Sequence, residues 1–348
     1  MSIEHIALEG IATAVPRNTV SNYEVAVLPE KERRLFVRTT GIEFRRVAPP
    51  GLTAADLCRA AAERLLNELG WPREEIDALV FVSQTPDYLI PGSATQLQQQ
   101  LGLPSSCLAL DINQGCAGYV YGLATLSSLM SAGHLRKTLL LVGDTITHLL
   151  SPEDKSTQPI FSDAGSATAL QFQPDAAPLH FNLQADGQGY RSIIVPEGGA
   201  RQPWQADGEA LRDHAPGVRR SDRHMGMEGL AIFHFASREV APNVNALLDF
   251  ARTTTEQVDH FVFHQANRLL NETIRKKLGL PPEKVPYSLP HFGNTSCATI
   301  PVTLVDQLRD QLRTATNKLV LSGFGVGLSW GSALLDCGPI TCPEIIEL

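Results

Sequence analysis

A short, continuous apolar run set against a helical pattern recurs along this chain, and that recurrence limits its fold more than any other feature. Ile76-Asp-Ala-Leu-Val-Phe-Val-Ser83 follows Ala54 to Leu69, whose periodicity predicts a helix closed by Gly70 and followed by Trp71-Pro72. Leu139-Leu-Leu-Val-Gly143 is a second such run. Val258-Asp-His-Phe-Val-Phe-His264 is a third, and it leads into the helical pattern Asn267 to Leu278. Helix-closing glycines recur at Gly70, Gly133 and Gly279. Runs this short, without alternation, predict strands buried on both faces, and strands alternating with helices predict an α/β fold. A second helix, closing at Leu278-Gly-Leu-Pro-Pro, makes 267–290 an echo of 54–83 and suggests two similar halves. With 348 residues the chain is long enough for both, and we set them at 1–175 and 176–348. A Gly-, Pro- and charge-rich stretch at about 185–222 contains Asp186-Gly-Gln-Gly189, Glu197-Gly-Gly199 and Arg219-Arg220. It reads as a long surface excursion, and in a compact domain such a loop is more often functional than idle.

Composition narrows the function. Apolar residues make up 43% and charged residues 19%, an ordinary globular mix. With 29 Lys plus Arg against 37 Asp plus Glu the net charge is −8, which argues against a general binder of nucleic acid or anionic membrane. The N-terminus has no basic segment followed by an apolar one, and no uncharged run approaches the ~20 residues that span a bilayer, so the expected location is the cytoplasm. The six cysteines form no C-x-x-C pair and no zinc-like spacing with histidine. A lone Cys is ordinarily a small buried hydrophobe, and that reading suits most of these six. No metal, flavin, nicotinamide or other cofactor is called for.

Four segments carry residue types suited to chemistry. Cys116 lies in Asp111-Ile-Asn-Gln-Gly-Cys-Ala-Gly-Tyr-Val-Tyr-Gly122, between the apolar strand 107–111 and a small-residue helix over 119–132. Small neighbours permit a tight strand-to-helix turn that presents the thiol, and a helix N-terminus favours the thiolate. His264 ends a buried strand, where α/β folds place active sites. Asn294 lies in His291-Phe-Gly-Asn-Thr-Ser-Cys-Ala298, a turn before a helix. Ser322-Gly-Phe-Gly-Val-Gly-Leu-Ser-Trp-Gly331 lets the backbone approach another group closely, but its spacing is not that of a dinucleotide loop.

In that order, D-I-N-Q-G-C-A-G-Y, H-Q-A-N, H-F-G-N-T-S and G-F-G-V-G-L-S-W-G-S resemble the motifs of the thiolase-fold condensing enzymes, most closely the β-ketoacyl-acyl-carrier-protein synthase III family. Arg38-Thr-Thr-Gly-Ile42, Phe161-Ser-Asp-Ala-Gly-Ser166 and Ala185-Asp-Gly187 match as well. The resemblance implies a duplicated five-layer α/β/α/β/α fold, assembled as a homodimer. It implies that Cys116 takes an acyl group from a thioester and that His264 and Asn294 donate hydrogen bonds to the enolate formed when a malonyl thioester loses CO2. The N–H groups of Cys116 and Val326 then form the oxyanion hole of acyl transfer. Acyl carrier protein, acyl-CoA or both deliver the acyl group.

The same resemblance assigns further positions. Ile90 reaches across the dimer to close the partner's acyl pocket, while Met227, Phe233, Ala266 and Phe324 line the pocket. Arg38, Lys155, Arg268, Arg275, Lys276 and Lys277 meet CoA or an acidic carrier protein. The chain departs from the pattern in three places. Val326 stands where glycine is usual, and Leu35 and Thr39 replace a Trp and an Arg that hold the adenine nucleotide in relatives primed by acetyl-CoA. The excursion over 200–222 is longer than in the fatty-acid enzymes, which points to a different acyl chain. Two other readings are open to this sequence: transfer of the Cys116-bound acyl group to a hydroxyl or amine, with His264 as general base, and a silent partner subunit of a synthase heterodimer.

Overall fold

The computed structural model describes residues 1–348. Two sheets carry the fold. The first has six strands in the order Ile346–Glu347, Ile6–Val15, Ala164–Phe172, Lys137–Asp144, Ala78–Val82, Leu108–Ile112. The second has five, in the order Ser2–Ile3, Leu179–Ala185, Ser329–Cys337, Asn317–Gly325, His260–Phe263. The sequence repeat has a physical basis in the pairing. In each sheet a long strand pairs antiparallel with a second, the second antiparallel with a third, and the third parallel with a short strand, Ala78–Val82 in one sheet and His260–Phe263 in the other. The terminal segments cross over, because Ser2–Ile3 joins the second sheet and Ile346–Glu347 the first.

Helices fill three layers around these sheets. Gly118–Met130 and Thr299–Thr314 lie between them, and their apolar side chains interleave with both inner faces in one cluster that includes Val80, Tyr119, Leu123, Leu304, Leu308 and Leu321. Ala54–Leu69 and Ser93–Gln100 cover the outer face of the first sheet. Gly229–Phe250 and Arg268–Lys277 cover the outer face of the second. The result is the expected α/β/α/β/α arrangement. Both faces of each sheet are covered, which explains why the central strands read as unbroken apolar runs.

One expectation is corrected. The counterpart of 54–83 is not 267–290 but 229–263: a helix, a 3₁₀ turn and a short strand in each half. After Gly279 the chain forms a 3₁₀ turn and a short helix rather than a strand. Helix Gly229–Phe250 escaped the pattern reading because Glu228 gives it no side-chain cap and Pro242 lies inside it. No helix is long and apolar enough to cross a membrane.

Candidate active site

Cys116 sits in the turn between strand Leu108–Ile112 and helix Gly118–Met130. Its neighbours are small for a steric reason. A Cβ on Gly325 would lie 2.6 Å from both Cβ and Sγ of Cys116, and one on Gly323 would lie 2.8 Å from Ala117 Cα. Glycines therefore let the Asn317–Gly325 strand end directly against the thiol. His264 follows strand His260–Phe263, anchored by its own N–H donating to the Ser322 carbonyl (2.8 Å) and by Asn271 Nδ2 donating to its carbonyl (3.0 Å). Asn294 is fixed at the backbone by Ile160 and Ser162 (3.1 and 2.9 Å). Its side-chain Oδ1 accepts the Ser296 N–H at 3.0 Å, which leaves the Nδ2 hydrogens without a protein partner in a residue that lines the cavity. Ser296 holds a left-handed conformation (φ 53°) while buried, a strain of ~1–3 kcal/mol that the surrounding packing must sustain.

These three side chains meet. Cys116, His264 and Asn294 line one cavity of about 230 Å³ with Met227, Phe233, Ala266 and Phe324 in its wall. The cavity also takes in Ile160, Phe161, Ile193 and Ile232, apolar residues of loops, a short strand and a helix that carry no sequence signal separating a pocket wall from ordinary core. A second apolar cavity, about 300 Å³, shares Ile193 and is lined by Ile146, Leu149, Met225 and Val326. Val326 keeps negative φ, so the backbone donor tolerates the side chain that stands where glycine is usual.

The electrostatics correct one expectation. Burial pushes the Cys116 thiol up to about 11. The Val326 N–H pulls it down, buried Asp144 adds to the rise, and the thiol's own N–H opposes it. Cys116 precedes the helix by two residues, and burial is the largest influence on its thiol. Burial likewise pushes the His264 imidazole down to about 3, with the Ser296 backbone opposing. The resting pair is a neutral thiol and a neutral imidazole. His264 Nδ1 lies 2.7 Å from the Thr299 hydroxyl, and its ring meets Phe324 edge-on at 5.5 Å.

The other assigned residues are more dispersed. Ile90 is 87% exposed, lies beside exposed Tyr88 and Leu89, and lines neither of these cavities. Arg38 and Leu35 are exposed on helix Glu30–Thr40. Lys155 packs under Gly217 of the excursion and pairs with Glu32 at 3.8 Å. Arg268 stacks on Tyr287. Arg275 is engaged by Glu272 (2.8 Å) and by the Leu280 carbonyl, and Lys277 donates to the Ser237 carbonyl (2.7 Å), so of the helix's last three basic residues only Lys276 has no bond of this kind. No group of three or more His, Cys, Asp or Glu side chains is arranged to hold a metal ion.

Two duplicated halves meeting at a cysteine, a histidine and an asparagine in one apolar cavity define a thiolase-type condensing-enzyme site. Residues 110–187 match the family described as 3-oxoacyl-[acyl-carrier-protein (ACP)] synthase III, and residues 248–337 match its C-terminal part. The β-ketoacyl-[acyl-carrier-protein] synthase III of Rhodopirellula baltica is 33% identical over 353 residues, covering 96% of this chain and 99% of that protein. The crystal structure of a 3-oxoacyl-(acyl-carrier protein) synthase from Burkholderia xenovorans is 42% identical with a TM-score of 0.94, covering 100% of this chain and 98% of that one. The synthase III of Pseudomonas aeruginosa is 29% identical with a TM-score of 0.85, covering 97% and 99%. The chain belongs to the β-ketoacyl-acyl-carrier-protein synthase III family.

Proposed function

We propose that this chain condenses an acyl group with a malonyl thioester by decarboxylative Claisen chemistry, with Cys116 as nucleophile. The Cys116 sulfur attacks the acyl thioester. The new S–C bond forms, the donor's C–S bond breaks, and the departing thiolate takes up the proton that Cys116 gives up. The tetrahedral oxyanion lies against the N–H groups of Cys116 and Val326, each such donor being worth ~3 kcal/mol. The malonyl thioester then loses CO2. The electron pair of the broken C–C bond forms an enolate, whose oxygen accepts hydrogen bonds from His264 Nε2 and Asn294 Nδ2. The enolate carbon attacks acyl-Cys116, the β-ketoacyl product leaves, and the released thiolate is reprotonated from solvent.

The observation that carries this reading is that a carboxamide and a neutral imidazole line the cavity beside the thiol. Asn294 Oδ1 already accepts from Ser296, and no protein group takes its Nδ2 hydrogens, so they are free to donate. His264 is neutral, and its Nδ1 is held 2.7 Å from the Thr299 hydroxyl, which also reaches the Ser296 carbonyl at 3.2 Å; the reading requires the tautomer with the proton on Nε2. An enolate oxygen needs donors that do not themselves lose a proton. Acyl transfer to a hydroxyl or amine needs a general base and makes no use of Asn294. CO2 release from a malonyl thioester tests the reading. Asn294→Ala is expected to lower it by ~10²–10³-fold while Cys116 still acylates. Acylation of Cys116 in the unsubstituted protein with no CO2 release from any malonyl thioester would transfer support to O- or N-acylation.

Acyl carrier protein is the proposed bearer of the malonyl group, and of the acyl group where acyl-CoA does not serve. The proposed assembly is a homodimer. Strand Leu108–Ile112 is an unpaired sheet edge with Leu108 and Leu110 exposed, and the exposed Tyr88-Leu89-Ile90 segment offers the side chain to reach the other copy's pocket.

A further inference from the structure

A polar cavity of about 420 Å³ lies against the catalytic one and has no part in the chemistry above. The two share Met227, and the wall between them is a two-stranded ribbon in which Ile193 pairs with Met227 and Ile194 with Gly226. The far side is built by the excursion. That loop is held rigidly: Arg220 donates to Asp154, whose side chain is fully buried, at 3.0 Å, and Arg223 donates to the equally buried Glu197 at 3.0 Å while stacking on Trp204. Gly226 leaves room for the Arg220 guanidinium, which a Cβ there would meet at 3.0 Å.

The cavity is rich in donors. Arg191, Arg201 and Arg220 all line it. Arg220 is balanced by Asp154, and Asp222 is balanced by Arg212 at 3.1 Å. Arg191 bonds the Tyr190 hydroxyl (2.8 Å) and lies over its ring, and Arg201 forms no ion pair, so at the exposed mouth of the cavity two cations without a carboxylate partner line it with the unpaired Glu228. His224 adds a neutral donor. Its Nδ1 accepts the Ser221 N–H (3.2 Å), which places the ring proton on Nε2, and burial lowers its basicity. Such a concentration of donors is notable in a chain of net charge −8, and guanidinium groups suit the planar, bidentate recognition of carboxylate or phosphate.

We infer that this cavity is an oxyanion-binding subsite, and that it takes the terminal carboxylate of an acyl chain that extends past Met227 from Cys116. Methionine is the right partition for this, being unbranched and readily repacked around a passing chain. The thioester arm of the test rests on the condensing-enzyme reading; the binding arm does not. In the first arm, full-length protein and Arg191→Gln/Arg201→Gln are acylated with the N-acetylcysteamine thioesters of glutaric and of pentanoic acid, and the Cys116 adduct is followed by intact mass. The double variant is expected to lose roughly tenfold or more in rate with the glutaryl thioester and to keep its pentanoyl rate. In the second arm, glutarate and inorganic phosphate are titrated calorimetrically. Binding that the variant loses, without a glutaryl preference in the first arm, assigns the same subsite to a free oxyanion. Equal glutaryl rates in both proteins together with no anion binding overturn the proposal. So does loss of dimer in the variant with anion binding unmoved, since the cavity would then seat a second copy. If neither thioester acylates folded protein, the proposed function has failed and the calorimetric arm alone decides.

Discussion

The two halves each place a cysteine at the same point, just before a central helix, and only one of these thiols opens on a cavity. Cys116-Ala117 precedes helix Gly118–Met130 and Cys297-Ala298 precedes helix Thr299–Thr314, with the cap alanines at φ −86°, ψ −1° and φ −86°, ψ 0°. The strands match as well. Asp77 and Asp259 each donate an N–H to a lysine carbonyl, Lys137 and Lys318, and each carboxylate accepts that lysine's N–H. The difference lies in what faces each sulfur. Against Cys116 the opposing strand ends in Gly325, with no side chain, and His264 stands alongside. Against Cys297 the equivalent strand ends in Asp144, whose Oδ2 accepts from Sγ at 3.2 Å, and the position of His264 is held by Val82. A duplicated frame thus becomes one site where a glycine leaves space and a dead end where a buried carboxylate fills it.

That comparison can be broken in graded steps. Cys116→Ala should remove the acyl adduct and reduce turnover on the order of 10⁴-fold or more, since no other thiol opens on the cavity. Gly325→Ala should do much of the same from the opposite side. Its methyl would meet the sulfur at 2.6 Å, and displacing a nucleophile by about 1 Å is worth ~10²-fold, read as the rate of adduct formation. The pH profile should be asymmetric. With Cys116 near 11, acylation should climb through neutral and alkaline pH as the thiolate fraction grows. With His264 near 3, the decarboxylation step should show no inflection near 6.5, because the imidazole is already neutral across that range. Cys297→Ala should change acylation least. It removes one of the donors to Asp144 while Ser83, Gln84 and Thr85 keep theirs, so the effect is ~1 kcal/mol of stability in denaturant titration.

Much of this arrangement is legible in the residues. The apolar runs at 76–83, 139–143 and 258–264 locate central strands, and the four motifs bring Cys116, His264, Asn294 and Val326 to one place. What is not legible has identifiable causes. Propensity reasoning passes over helix Gly229–Phe250 because Pro242 and a missing cap argue against it, while tertiary packing on the second sheet holds it. The helix N-terminus near Cys116 is a local feature visible in sequence, whereas the desolvation that raises the thiol depends on what packs above the turn. Likewise Ser296, Thr299 and Ile193 act through contacts made only once distant segments meet.

The most direct measurement is peptide mapping after incubation with an acyl thioester, followed by addition of a malonyl thioester. The account predicts an acyl mass on the peptide containing Cys116, none on the peptide containing Cys297, and loss of that mass with matched CO2 release. An unmodified Cys116, or an adduct that the malonyl thioester leaves in place without CO2, would contradict it.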